Sequence, residues 1–186
     1  RYALKENWHK NFVCNKAQAY QNAQSIIKQC KRIGPDVWAK VHDKFMDFLD
    51  KGHMAYVEDI EEWPQLMDNC NKKWVEGGLF ALFTIVHKLT SLSTKYRPAV
   101  DLKRPGPRGY SLNDFSESGS SSFSMLRFAV ESTLFPHFGA SDHSQYYNSL
   151  WLAPEQLPRY QVVIPNRAGE LGPGTMKVAA LKNGWY

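Results

Sequence analysis

The residues of this chain whose types and spacing could do chemistry are Asp142 and Tyr147. They lie in the run Ala140-Ser141-Asp142-His143-Ser144-Gln145-Tyr146-Tyr147, which follows an apolar approach from Phe135 to Ala140. A carboxylate at the end of such an approach can hold Mg²⁺ on a triphosphate, because Mg²⁺ demands oxygen ligands in near-octahedral geometry. An aromatic ring five residues on can sit under the sugar of the same nucleotide and sense its 2′-hydroxyl. Upstream lies a basic strand, Lys95-Tyr96-Arg97-Pro98-Ala99-Val100-Asp101-Leu102. From Lys88 to Arg108 the cations are Lys88, Lys95, Arg97, Lys103, Arg104 and Arg108, against the single acid Asp101. Arg suits bidentate phosphate contacts and Lys a point-charge contact. Ser144 lacks the G-x-S-x-G elbow of a hydrolase nucleophile.

Those residues need elements to position them. With 186 residues, 43% hydrophobic and 22% charged, the chain can bury a sizeable core. A formal charge of +5 and a pI near 9.1 favour polyanionic partners. No apolar run is long enough to cross a membrane, so no membrane partner is expected. Cys14, Cys30 and Cys70 show no CxxC or His pairing. That usage suits a reducing, intracellular compartment and argues against zinc.

Ala19, Ala23, Ile26, Ile27 and Cys30 set a helical period from about Lys16 to Arg32, ended by Gly34-Pro35. Val37, Trp38, Val41, Phe45, Phe48 and Leu49 mark a second helix, with Pro35 expected in its first turn and Gly52 at its C-cap. Glu58 to Glu76 is acidic and Trp-rich at first and is assigned to no element, and Pro64 reads there as a breaker. Leu79 to Val86 and Lys95 to Leu102 read as two strands of a β-hairpin with a basic tip, with Pro98 requiring an edge or a bulge. A helix is expected from about Phe123 to Thr133. Strands are expected at Tyr160 to Ile164 and Met176 to Ala180 across a glycine-rich turn, with a helix starting at Lys182-Asn183-Gly184. Helices alternating with antiparallel hairpins give an α+β fold.

The order of these motifs resembles the reverse transcriptase of LTR-retrotransposon polyproteins, of BEL/Pao or related type. Val86-His87-Lys88, Ser93-Thr94-Lys95-Tyr96-Arg97 and Val100-Asp101-Leu102 resemble its fingers hairpin. Gly109-Tyr110-Ser111-Leu112-Asn113-Asp114 resembles its G-x-S-L-N-D element. Asp142 with Tyr147 is similar to the first catalytic palm motif, Leu152-Ala153-Pro154-Glu155 to the l-x-P-E that follows, and Leu181-Lys182-Asn183 to the next palm motif. The chain departs at Val178-Ala179-Ala180, where the family carries a Pro and a Phe-Gly.

The resemblance implies a helical lead-in at 1–52, a fingers-like region at 53–134 and a partial palm of a right-hand polymerase fold at 135–186. It implies Lys88, Arg97, Tyr147 and Gln161 around a deoxynucleoside triphosphate, with Tyr147 as steric gate. Asp142 and the backbone carbonyl of His143 would hold Mg²⁺. Lys95, Lys103, Arg104 and Arg108 would grip an RNA or DNA template–primer. The reaction would be templated transfer of a nucleotide to a primer 3′-hydroxyl. Because Tyr186 precedes any Y-x-D-D, this piece is expected to be inactive without the remainder of its parent polyprotein. Localisation would be cytoplasmic, in a virus-like particle, or nuclear. The alternative is a non-catalytic basic remnant, or a domesticated retroelement fragment, that binds nucleic acid through phosphates.

Overall fold

A computed structural model describes residues 7–89, 94–115, 151–170, 172 and 174–183, with the side chains of residues 88 and 89 excepted. The fold is mixed helix and sheet, an α+β arrangement. Two helices come first, α1 (Lys16–Ile33) and α2 (Val37–Asp50). In α1 the apolar period buries Ala19, Ala23, Ile26, Ile27 and Cys30, and the helix ends where Gly34 N–H donates to Cys30 O. Lys31 and Arg32 in its last turn oppose the negative end of the helix dipole. In α2 the buried stripe is Val37, Trp38, Val41 and Phe45. Pro35 lies in the connecting turn rather than in the first turn of α2, because Asp36 takes the N-cap.

The stretch after α2 holds three elements. A short strand β1 (Met54–Tyr56) leads through a 3-10 turn (Val57–Asp59) into helix α3 (Trp63–Lys73). Pro64 opens α3 instead of breaking the chain, since a first-turn N–H has no intrahelical acceptor to lose.

Strands β2 (Leu82–Leu89) and β3 (Thr94–Asp101) form the antiparallel hairpin. It starts later than the apolar run Leu79 to Val86 suggests. Leu79 to Ala81 run instead beside strand β4 (Gln161–Pro165), with Ala81 N–H donating to Gln161 O at 2.7 Å and Gln161 N–H to Leu79 O at 3.1 Å. Pro98 sits opposite Ile85 in a two-stranded ribbon, where a missing donor leaves no second neighbour unpaired.

Strand β5 (Met176–Leu181) lies between β1 and β4, antiparallel to both. The expected helix at Lys182 does not start there. Lys182 N–H donates to His53 O, Leu152 N–H donates to Lys182 O, and Asn183 bridges Trp151, so the chain stays extended. Asn183 is fully buried, with its amide nitrogen 2.8 Å from His53 Nδ1.

One hydrophobic cluster takes side chains from α1, α2, residues 80–83, β4 and β5. Phe45 meets Phe83 edge to face at 5.2 Å, and all five residues of β4 are buried. Side-chain amides join the layers. Asn22 Oδ1 accepts from Phe83 N–H at 3.0 Å. Asn15 exchanges two 2.8 Å hydrogen bonds with the backbone of Phe80, as a neighbouring strand would. The expected helix at Phe123 to Thr133 lies outside the described residues.

Candidate nucleic-acid interface

The β2–β3 register decides which hairpin residues face outward. Val86 pairs with Arg97, His87 with Tyr96 and Ile85 with Pro98. Alternation then puts Phe83, Ile85, Tyr96, Pro98 and Val100 toward the core, where they are buried or half-buried. Lys95 and Arg97 fall on the other face, and both are exposed. The register position of Lys88 is opposite Lys95. The hairpin is thus rooted by its apolar residues other than Val86, which stands exposed beside Arg97 on the outward face with Lys95.

Beyond β3 the chain turns through a compact basic loop. Asp101, the one acid of this region, is committed there. Its carboxylate accepts from Lys103 N–H at 3.2 Å and pairs with Arg104 Nε at 3.3 Å. That leaves it poorly suited to a metal. Arg108 donates from a terminal nitrogen to Lys10 O at 2.7 Å, a contact that fixes the side chain without cancelling its charge. Lys103 is exposed. Among the described residues, no carboxylate pairs with Lys95, Arg97, Lys103 or Arg108. Gly106 N–H donates to Tyr110 O at 2.8 Å, closing the loop. Ser111 then gives both its N–H and its hydroxyl to the Asp114 carboxylate, at 2.7 and 2.9 Å. The Asn-Asp of the G-x-S-L-N-D element thereby holds a 3-10 turn (Leu112–Phe115) against the end of β3, through Asn113 N–H to Leu102 O.

A small pocket of about 30 Å³ lies between this loop and the N-terminal segment, with Phe12, Arg104, Pro107, Tyr110 and Leu112 among its walls. That is room for roughly one or two waters and too little for a nucleotide.

Of the residues expected around a nucleotide, Gln161 is accounted for internally. It is 4% exposed, and its amide nitrogen donates to Pro158 O at 3.1 Å and Gly77 O at 3.3 Å. Burial favours this use because an amide left unpaired in the core is costly. Asp142, His143 and Tyr147 lie outside the described residues. Among the described residues, no group of His, Cys, Asp and Glu side chains could hold a metal ion. No helix among them is long and apolar enough to cross a membrane.

Sequence reasoning passed over two features. Tyr110 is 44% exposed in the middle of the basic loop, and the signal for it was an aromatic flanked by Arg108 and the Ser111 turn. Arg159 was the second. It closes a 3-10 turn (Pro154–Arg159) with only 6% exposure, its guanidinium stacked 3.4 Å from the Trp74 ring centroid and 4.7 Å from that of Trp8. Burial lowers its pKa from the ordinary arginine value, opposed by Tyr160, Cys70 and the Glu155 carboxylate, and the two indole faces add a cation–π partner. Arg159 thereby fastens the N-terminal segment and α3 to the lead-in of β4.

No protein-family model, curated protein or solved structure matches the chain.

Proposed function

We propose that this chain is the fingers and upper palm of a reverse transcriptase from an LTR retroelement, and that it grips template–primer through the phosphates. The observation that carries this reading is the hairpin, which holds Lys95 and Arg97 together on its outward face and leads into Lys103, Arg104 and Arg108. A rooted ribbon with that charge pattern fits a polyanion and offers little to an apolar ligand. The motif order seen in the sequence supplies the rest. Arg97 and Lys88 are the candidates for the triphosphate, and Tyr147 for discrimination at the sugar. Asp142 with the His143 carbonyl would hold Mg²⁺, which when bound neutralises charge on the phosphates.

The test is primer extension by a polypeptide that joins this chain to a strand bearing paired aspartates. The reading expects extension with deoxynucleotides in Mg²⁺, abolished by Asp142→Asn and reduced at least tenfold by Arg97→Ala. Extension that survives Asp142→Asn would overturn the catalytic assignment. Binding of template–primer without extension would favour the second reading, a phosphate-gripping module without chemistry, which the hairpin supports equally well.

A further inference from the structure

Four large hydrophobic side chains among the described residues stand exposed: Ile33, Val86, Tyr110 and Trp151. Tyr110 differs from the others in its surroundings. It belongs to a loop whose exposed side chains include Lys103, Arg104 and Arg108, and the backbone around it is closed by the Gly106–Tyr110 hydrogen bond and by Gly109 N–H to Gly106 O at 2.9 Å. Its ring rests edge-on against Phe115 at 5.5 Å. Phe115 rests on Phe12 at 5.5 Å, and Phe12 on Trp8 at 5.6 Å. This aromatic chain runs from the buried Trp8 outward to the half-exposed Tyr110, so the outer ring is held from behind. A ring already ordered loses little entropy when a second ring lands on it.

We infer that Tyr110 is a stacking platform for one base of a single-stranded nucleic acid, whose flanking phosphates meet Arg104, Arg108 and Lys103. The interior of a duplex would not serve, because its base faces are already stacked and only their edges face the grooves. Single-strand sites combine an aromatic face with a cationic track, since stacking tolerates any base and the charges follow the backbone. Arg104 keeps donors for this role. Its Nε is used on Asp101, while its terminal nitrogens carry no ion pair among the described residues. Arg108 is already oriented by Lys10 O, so its charge is placed without being neutralised. The pocket behind Tyr110 is too small to admit the base, which must therefore lie on the ring rather than enter the protein.

The inference rests on the nucleic-acid reading of the hairpin, and the experiment separates the two. Fluorescence anisotropy compares a blunt duplex with the same duplex carrying a single-stranded template overhang, at fixed salt. Tyr110→Leu should weaken binding to the overhang substrate by roughly tenfold or more, within the range of a lost base–aromatic stack. It should weaken blunt-duplex binding far less, and Tyr110→Phe should restore wild-type binding because the ring face is kept. If Tyr110→Leu binds the overhang as tightly as wild type while Lys95→Ala/Arg97→Ala weakens both substrates, the platform is refuted and the hairpin reading stands. If the wild-type chain binds neither substrate, the hairpin reading fails and the platform falls with it.

Discussion

Gly78 sits where residues 79–81 meet β4, and replacing it by Ala tests that junction. Its φ of +68° lies in the left-handed region, and a Cβ there would come within 2.4 Å of both Pro158 O and Gln161 Nε2. The Gln161 amide can swing aside, but the Pro158 carbonyl is backbone. It accepts from Leu79 N–H at 2.9 Å and from Gln161 Nε2 at 3.1 Å. The left-handed conformation costs a non-glycine residue about 1 kcal/mol. Displacing the carbonyl weakens two hydrogen bonds of roughly 1 kcal/mol each, and a buried donor left unpaired adds about 1 kcal/mol more. The sum is about 4 kcal/mol, a large share of the ~5–15 kcal/mol that holds a typical domain together. Gly109→Ala is the matched control. Its φ is +81°, yet an added methyl would meet nothing within 4 Å, so only the conformational cost of about 1 kcal/mol remains. In urea, with a slope of about 2 kcal/mol/M, the midpoint should fall by roughly 2 M for Gly78→Ala and about 0.5 M for Gly109→Ala. Equal midpoints for the two variants would refute the close approach at Pro158.

Three further outcomes follow from the packing. Asn15→Ala removes both partners of the Phe80 backbone in a buried setting and should lower unfolding free energy by about 3 kcal/mol, read from urea midpoints. Arg159→Lys keeps the charge but loses the planar stack between Trp8 and Trp74, and should cost about 2 kcal/mol and alter tryptophan emission; unchanged emission would contradict the sandwich. Burial lowers the His42 pKa from its ordinary 6.5, with Asp43 opposing and Arg167 assisting that shift. The unfolded chain therefore binds the proton first, so this contribution is complete above pH 6.5 and is lost as pH falls through the depressed folded value. His42→Phe should flatten that acid limb of the thermal midpoint against pH.

Local signals made the two long helices and four of the strands legible, with small shifts at their ends. Where the sequence misled, the deciding contact was distant. β1 is only Met54–Tyr56, and its partner β5 lies at Ala179 to Leu181, so nothing local marks it as a strand. The run Leu79 to Val86 reads as one strand, yet its first residues bond to Gln161 and Pro158 and only its later ones to β3. α3 carries a helical period in Trp63, Leu66, Met67 and Cys70, but Pro64 was ambiguous between stopping a helix and opening one. Gln161 was expected beside a nucleotide and Asn183 at a helix start, yet both are buried, because a polar residue type cannot tell an amide facing a ligand from one satisfied inside. The cationic face of the hairpin was readable from composition, but that Asp101 is taken up by Arg104 and Lys103 needed the folded loop.

The most direct test of the hairpin as a phosphate-gripping surface is the salt dependence of binding to a duplex that carries a single-stranded overhang. If Lys95 and Arg97 each neutralise a duplex phosphate, and Lys103, Arg104 and Arg108 each a single-strand phosphate, the plot of log affinity against log salt has a slope of about −3.9. Affinity then falls roughly 200-fold between about 50 and 200 mM salt. Lys95→Ala/Arg97→Ala should reduce the slope to about −2.1 and the fall to roughly 20-fold. A wild-type slope near zero, or one that the double substitution leaves unchanged, would contradict the account.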